Sequence, residues 1–452
     1  MRTLLLNPPW KKEGRLGVRA GSRWPFTSEP EADGLIHYIP FPFFLAYSTS
    51  LLKREGKQAR LIDSIAEGSD EASLIEKIKA YDPGLILIET STPSFKNDIS
   101  LIDSIHRSFG NCRIGLCGPH ASIFAQEILT EHGFIDYILT GEYEYTLLEL
   151  IDSLEKGLTL KSVLGLVYRD DSHIRANSPR PTIDDLDSLP WPERKDVPIL
   201  NYNDAFCDLP LPNAQVWSSR GCPFGCSFCL WPQTIYKEHR HRKRSPKDVV
   251  DEMEYLIKAF GFKAVYFDDD VFNIDRDHVL DICSEIMSRG IEIPWAAMAR
   301  ADLMDRELLE AMQAAGLYAI KYGIESADSR ILDLCGKKMD LKKAHSVIKI
   351  TMELGIKVHL TFCLGLPGET KETLDETRGF IEEIGPDSVQ FSFATPFPGT
   401  EYFRIMKQNK RLLAQSWEDY DAGQRCIIRT DELSADDLEG ARIAFSNCIN
   451  TK

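Results

Sequence analysis

Short apolar runs alternate with longer amphipathic stretches through most of the chain, the pattern of repeated strand–helix units. The first run, in Thr3-Leu-Leu-Leu-Asn-Pro-Pro-Trp10, is stopped by two prolines. Others cover residues 58–62, 84–89, 113–117 and 134–139, with helix-spaced stretches at 43–55, 70–80, 97–108 and 120–131 between them. This predicts an α/β domain over 1–175, a doubly wound, Rossmann-like sheet of five strands. It has no G-x-G-x-x-G, so nothing marks it as nicotinamide-binding.

A second series starts near residue 211. Apolar runs at 214–218, 263–267, 293–298, 317–323, 356–363 and 387–394 alternate with amphipathic segments such as 247–260 and 370–384. Ser245, Pro246 and Asp248 mark the start of the first of these helices. Six such units predict a parallel sheet curled into a partial (β/α)6 barrel over 211–404. Residues 176–210, with Pro and Asp crowded into Ser178–Pro192, read as an extended linker. Residues 405–452 read as a short helical cap containing Trp417-Glu-Asp-Tyr420 and a helix over Ser434–Asn447.

Reacting and binding groups in parallel α/β sheets sit beyond the carboxyl ends of the strands. In the first domain those positions hold Pro9, Trp10, Asp63, Ser64, Thr90, Ser91, Gly118, Pro119, His120, Gly141 and Glu142, a set that could ring a large flat ligand. In the second they hold Asp269, Asp270, Arg300, Glu325, Ser326 and Gly365. Any one of these alone reads equally well as an ordinary loop residue; their order along the chain is what makes them a set.

At 452 residues the chain exceeds what one hydrophobic core usually supports. A net charge of -16 argues against broad nucleic-acid binding. The basic run Lys237–Lys247 is the exception and reads as a solvated or anion-contacting connector. No apolar run approaches the ~20 residues needed to span a bilayer. Eleven cysteines, an odd number without a secretory signal before them, predict reduced thiols and a cytoplasmic location. Cys283 lies at core spacing within a helix. Cys335 and Cys363 could reach the barrel cavity, although buried inert thiols are the stronger reading.

The most specific feature is Gly221-Cys-Pro-Phe-Gly-Cys-Ser-Phe-Cys229. The spacing of Cys222, Cys226 and Cys229 supplies three thiolates from one loop, which leaves one iron of a four-iron cluster open to a reacting molecule. Gly221, Pro223 and Gly225 let the backbone wrap around such a body. A zinc site completed by His239 or His241 is the competing reading. Zinc sites usually bring cysteines in two separated pairs, and zinc leaves the downstream barrel pattern unexplained.

The cysteine loop and its flanks resemble the radical S-adenosylmethionine (SAM) superfamily, in which an aromatic residue, here Phe228, commonly precedes the last cysteine. The resemblance covers residues 211 to about 402, including Thr395-Pro-Phe-Pro-Gly-Thr400. It implies a 4Fe-4S cluster on the three cysteines and SAM contacted by Phe228, Asp269, Asp270, Arg300, Glu325, Ser326 and Gly365, with the two aspartates accepting from the SAM ammonium. The first domain, above all Asp136-Tyr-Ile-Leu-Thr-Gly-Glu-Tyr-Glu144, is similar to the cobalamin-binding domain that precedes the barrel in one branch of the superfamily. That implies cobalamin beside the strand-end residues named above. Asp-x-His-x-x-Gly, which ligates cobalt from below in methionine synthase-like domains, is missing; His120 stands in Gly-Pro-His-Ala, and the lower face of the cobalt is unassigned.

The resemblance implies an enzyme in which one electron entering the cluster cleaves SAM to a 5′-deoxyadenosyl radical, and methylcobalamin then methylates an unactivated carbon of a small-molecule or lipid-like substrate. An electron donor such as flavodoxin or ferredoxin is implied with it. A cobalamin-binding radical enzyme that rearranges, cyclises or oxidises without methylating is the alternative. A non-catalytic cobalamin or metal sensor would have no need of Asp269, Asp270, Glu325 and Gly365.

Overall fold

Strand β1 (Arg2–Asn7) is buried at every residue after the first, as expected for a central strand covered by helices on both faces. The computed structural model describes residues 1–28, 38–170 and 173–449, the last three without their side chains. The chain divides into two units: 1–201 with 230–237 and 416–421, and 202–229 with 238–415 and 422–452.

In the first unit β1 lies between β2 (Gln58–Asp63) and β3 (Leu85–Glu89), followed outward by β4 (Arg113–Cys117) and β5 (Tyr137–Leu139), all parallel. The sheet has seven strands rather than the expected five. β6 (Leu166–Asp170) and β7 (His173–Ala176) add an antiparallel hairpin on the β5 edge. The hairpin escapes an apolar-run reading because only three of its residues, all in β6, are buried. The helix expected over 120–131 is two, Pro119–Ile123 and Ala125–Glu131, interrupted at Phe124.

The connector is not a loose linker. Ile183 N–H donates to Glu142, Glu193 N–H to the Ala46 carbonyl, and Asp196 accepts Leu61 N–H, at 2.8, 3.0 and 3.0 Å. Lys53 pairs with both Glu193 and Asp196. The compact unit therefore runs to Asn201, past the expected end at 175. Trp417–Tyr420 also belongs to this unit and not with the rest of the cap: Lys12 reaches the Glu418 carbonyl at 2.8 Å, and Asp421 accepts Thr27 N–H at 2.9 Å.

In the second unit six strands run in sequence order and all parallel: β8 (Asn213–Val216), β9 (Ala264–Phe267), β10 (Trp295–Ala299), β11 (Leu317–Glu325), β12 (Lys357–Leu364) and β13 (Ser388–Phe393). The sheet curls: the Phe206 ring meets Tyr266 of β9 and His359 of β12 at 5.3 and 5.4 Å, and the Lys321 ammonium of β11 lies 4.4 Å from its centre. One ring can touch those non-neighbouring strands only from inside the curve. The basic run before the helix Pro246–Phe260 is not a solvated connector. Arg244 is buried, donating to the Trp217 carbonyl at 2.8 Å and to the buried Glu252 at 2.6 Å. Ser245 caps that helix by accepting Asp248 N–H, with Pro246 in its first turn. No described helix is long and apolar enough to cross a membrane.

Candidate active site

The three motif cysteines lie on the loop after β8. Its base is closed by a two-stranded ladder pairing Ser219–Arg220 with Arg242–Lys243. Gly221 opens the loop at φ +86, where a β-carbon would stand 2.2 Å from the Arg240 carbonyl oxygen. Asp270 accepts Gly221 N–H at 2.8 Å. Cys229 N–H donates to the Cys226 carbonyl at 3.2 Å, and the Ser227 carbonyl accepts Tyr402 N–H at 2.9 Å. Cys222, Cys226 and Cys229 are half-buried and in no disulfide, whereas the other seven described cysteines are buried.

Burial raises the Cys222 thiol to about 12. Burial also raises Cys226, while Lys337 and, more weakly, Arg300 pull it back toward the thiolate. No three His, Cys, Asp or Glu side chains among the described residues converge as single-ion ligands, so the three thiols stand apart around the loop. Three accessible thiols spread on a clamped loop, with cations beside them, fit a bulky cluster.

The other barrel residues divide by task. Asp269 is fully buried, and its Oδ1 accepts the Ser218 and Ser219 hydroxyls at 3.0 and 2.6 Å as well as Ser219 N–H. Through Oδ1 it braces the strand end before the loop. Arg300 is buried with its guanidinium 3.8 Å from the Phe224 ring centre; it pairs with Asp302 at 2.8 Å and donates to the Lys337 carbonyl at 3.1 Å. Glu325 sits at a bulge with φ +72 and accepts from Lys337 Nζ at 2.8 Å. Ser326 is fully buried and accepts Asp328 N–H at 3.2 Å, and Phe228 is buried.

Gly365 has φ +91, but the side chains that crowd it are Ile428 and Leu438 of the tail, at 2.6 and 3.2 Å from a β-carbon there. Cys283, Cys335 and Cys363 are buried. Burial holds the Glu369 carboxyl up at about 8, against the hydrogen bond it accepts from Gly365 N–H.

Facing the lumen, β11 to β13 present Lys321, Gly323 and Glu325, then His359, Thr361 and Cys363, then Ser388, Gln390 and Ser392. The opposite face presents Ile320, Tyr322 and Ile324, Val358, Leu360 and Phe362, and Val389, Phe391 and Phe393. The floor is fixed by a Lys321–Asp204 ion pair at 2.8 Å and by Ser388, whose hydroxyl lies 2.7 Å from His359 Nδ1 and 3.2 Å from the Cys207 thiol.

In the first unit many strand-end residues are braces. Asp63 Oδ1 accepts Asn7 Nδ2 and the Ile65 and Ala66 N–H groups at 2.9, 3.0 and 3.2 Å. Thr90 donates to Asp98 at 2.6 Å, and the Ser91 and Ser94 hydroxyls meet at 2.9 Å. Glu142 holds the connector. Trp10 lies beneath Gly17, where a β-carbon would come 2.2 Å from its ring. Asn97 reaches the Pro9 carbonyl at 3.1 Å. Gly118, at φ +98, packs on the Thr90 carbonyl, Pro119 begins the short helix, and Gly141 is left-handed at φ +72. His120 is buried among Phe95, Phe124 and Trp417, its Nδ1 3.2 Å from the Thr92 hydroxyl; burial lowers it to about 3, a neutral imidazole.

Two polar atoms at these strand ends, Asn7 Oδ1 and Ser64 Oγ, are buried without a hydrogen-bond partner. Such atoms are costly unless a ligand answers them. The sequence reading missed the buried Arg19–Asp98 pair at 2.6 Å, and Glu89, whose carboxyl burial raises to about 7 against Arg19 and the Tyr143 hydroxyl. It also missed Trp417 over His120 and the turn Cys335–Lys338 behind the cysteine loop. Gly336 and Lys337 were the available signals, a turn glycine followed by two lysines after the short helix Ser329–Leu334.

The Radical SAM superfamily pattern matches residues 218–381. An uncharacterised methyltransferase of Pyrococcus horikoshii is 32% identical over 380 residues, 84% of this chain and 81% of that one. An anaerobic magnesium-protoporphyrin IX monomethyl ester cyclase of Cereibacter sphaeroides is 30% identical over 83% of this chain and 62% of its own. Among solved structures, the radical SAM methyltransferase TsrM of Kitasatospora setae, with cobalamin and a [4Fe-4S] cluster bound, superposes with a TM-score of 0.69 at 19% identity, over 90% of this chain and 75% of that one. The chain belongs to the radical SAM superfamily. It is a radical SAM enzyme, with a 4Fe-4S cluster and SAM as cofactors.

Proposed function

We propose that this enzyme is a cobalamin-dependent radical SAM C-methyltransferase acting on a small hydrophilic molecule. The observation that carries the reading is the loop of three half-buried thiols at the carboxyl end of the first barrel strand, in a chain whose other unit is a doubly wound sheet with orphaned polar atoms at its strand ends. When bound, the cluster and SAM supply a carbon-centred oxidant and cobalamin a transferable methyl group.

The chain's own part is positioning. Cys222, Cys226 and Cys229 would hold the cluster. Asp270 fixes the first turn of the loop and Arg300 packs on Phe224 within it. Glu325, Ser326 and Gly365 line the barrel top for SAM, with Asp270 as the acidic candidate for its ammonium. In the first unit Asn7 and Ser64 would meet cobalamin, while Asp63, Thr90, Ser91 and Glu142 keep the strand ends in shape. His120, neutral and facing Thr92, would offer this end of the sheet an imidazole nitrogen with a free lone pair. The polar lumen wall of β11 to β13 favours a hydroxyl- or carbonyl-bearing substrate over a lipid, because polar groups covered by an apolar molecule lose their water without a replacement partner. A flavodoxin or ferredoxin would deliver the electron.

The test is anaerobic reconstitution with iron, sulfide and hydroxocobalamin, followed by SAM and a reductant. About four iron and one cobalt per chain are expected. With substrate, 5′-deoxyadenosine, methionine, S-adenosylhomocysteine and a methylated product should appear together. The cyclase relative favours a second reading, radical chemistry without methyl transfer. It predicts cobalt uptake and deoxyadenosine with no S-adenosylhomocysteine.

A further inference from the structure

The turn Cys335–Lys338 grips the cysteine loop from behind at several points. Ser227 N–H donates to the Cys335 carbonyl at 2.8 Å. Gly336, at φ +77, lies against the loop backbone, so that a β-carbon there would be 2.5 Å from the Gly225 carbonyl oxygen and 3.8 Å from Cys226 Cα. Arg300, itself over the Phe224 ring of the loop, donates to the Lys337 and Lys338 carbonyls at 3.1 and 3.4 Å. These contacts fix where the Lys337 side chain starts, and Glu325 fixes where it ends, at 2.8 Å from Nζ.

Lys337 is buried, with 6% of its surface exposed. Its ammonium is answered inside the protein by the Glu325 carboxylate at 2.8 Å. A buried ion pair is a poor stabiliser compared with apolar side chains of the same volume. Its place on a turn packed against the Gly225–Ser227 backbone of the cysteine loop therefore asks for a use other than stability. Glu325 earns the same question, since its left-handed conformation, φ +72, is uncommon outside glycine.

We propose that Lys337, oriented by Glu325 and by the Gly336 contact, raises the reduction potential of the cluster held by Cys222, Cys226 and Cys229. A cation close to the cluster favours the form that carries one more electron, and the low dielectric of a buried site strengthens the effect. The step is a one-electron transfer from an external donor to the cluster, with no bond made or broken and no proton moved. Lys337 is a positioning charge and touches no reacting atom. Glu325 moderates it, so the two side chains act on the potential in opposite directions.

The test uses the full chain with its cluster reconstituted, in the absence of SAM, cobalamin and substrate, so its outcome is independent of the methyl-transfer reading. The midpoint potential is measured by dye-mediated titration followed by electron paramagnetic resonance, with dithionite as the electron source. Lys337→Met should shift the oxidised-to-reduced ratio about tenfold toward oxidised at fixed potential, ~59 mV downward for a one-electron couple. Glu325→Gln should move it upward, and Lys337→Arg should stay near the parent. Iron and sulfide per chain report whether each variant keeps its cluster. Shifts of the same sign for Lys337→Met and Glu325→Gln, or no shift in either at full iron content, overturn the proposal. Should Lys337→Met not hold a cluster, the Glu325→Gln direction decides: a rise supports the proposal and its absence overturns it.

Discussion

Gly336 stands where any larger residue would press on Gly225, the central residue of the cysteine loop: a β-carbon at 336 would lie 2.5 Å from the Gly225 carbonyl oxygen. The contact is backbone to backbone, so no side-chain rotation relieves it. Gly336→Ala also has to hold φ +77, a conformation that costs an alanine roughly 1–2 kcal/mol. The expected result is a folded protein, unchanged in far-ultraviolet circular dichroism, that takes up less than half the parent's iron in the same reconstitution. Full iron uptake would mean that the clasp does not shape the loop.

The two neighbouring aspartates after β9 separate fold from site. Asp269 satisfies a backbone N–H and two hydroxyls inside the unit, and leaving such groups unanswered costs about 1–3 kcal/mol each. Asp269→Ala should therefore lower the urea midpoint strongly and Asp269→Asn less. Asp270→Asn removes the charged acceptor of Gly221 N–H and should leave the midpoint within about 0.5 kcal/mol of the parent while reducing iron content. Equal losses of stability in Asp269→Ala and Asp270→Asn would sink this division of labour.

The difference between those aspartates shows where sequence reading stops. The alternation of apolar runs was enough to place all six barrel strands, because each carries apolar residues at alternate positions or throughout and is set off by polar or turn residues. It missed β6 and β7, where an edge hairpin has few apolar positions to reveal it. The cysteine spacing marked the loop, because three thiols at those intervals have a chemical meaning by themselves. Asp269, Asp270 and Glu325 have none until their partners are known: all three are carboxylates at strand ends, and only the fold shows that one braces Ser219, one anchors Gly221 and one holds Lys337. Gly365 is similar, since a glycine at a strand end does not show in the sequence which side chains, here Ile428 and Leu438, pack beside it. The segment after residue 176 read as an extended linker, because its hydrogen bonds and ion pairs to the first unit leave no mark on composition.

Glu369 gives the barrel unit a pH dependence with a definite sign. Its carboxyl titrates at about 8 in the folded protein against 4.5 for the ordinary group. Between those values the folded state binds more protons than the unfolded one, so stability falls as pH rises through the window and is flat on that account below it. Glu369→Gln, which keeps an oxygen for Gly365 N–H, should remove most of this slope. At pH 8 it should gain on the order of a few kcal/mol relative to the parent, since each pKa unit corresponds to about 1.4 kcal/mol. Denaturant unfolding at pH 5 and pH 8 checks it: parallel losses in parent and variant would mean that other groups carry the slope.

Ser64 offers the most direct probe of the first unit. Its hydroxyl is buried at the end of β2 with no hydrogen-bond partner, like Asn7 Oδ1 at the end of β1. In a purely structural sheet the unanswered hydroxyl contributes nothing, and Ser64→Ala should then be neutral or stabilising by about 1 kcal/mol with no effect on ligand uptake. If the hydroxyl serves cobalamin, the same substitution stabilises the cofactor-free protein but weakens hydroxocobalamin binding about fivefold to tenfold, the cost of one lost hydrogen bond of roughly 1 kcal/mol or slightly more. Spectrophotometric titration of the two proteins, together with their melting temperatures without cofactor, separates the cases. Stability up with affinity down assigns the strand ends to the corrin, whereas stability up with affinity unchanged moves the cobalamin site away from β2.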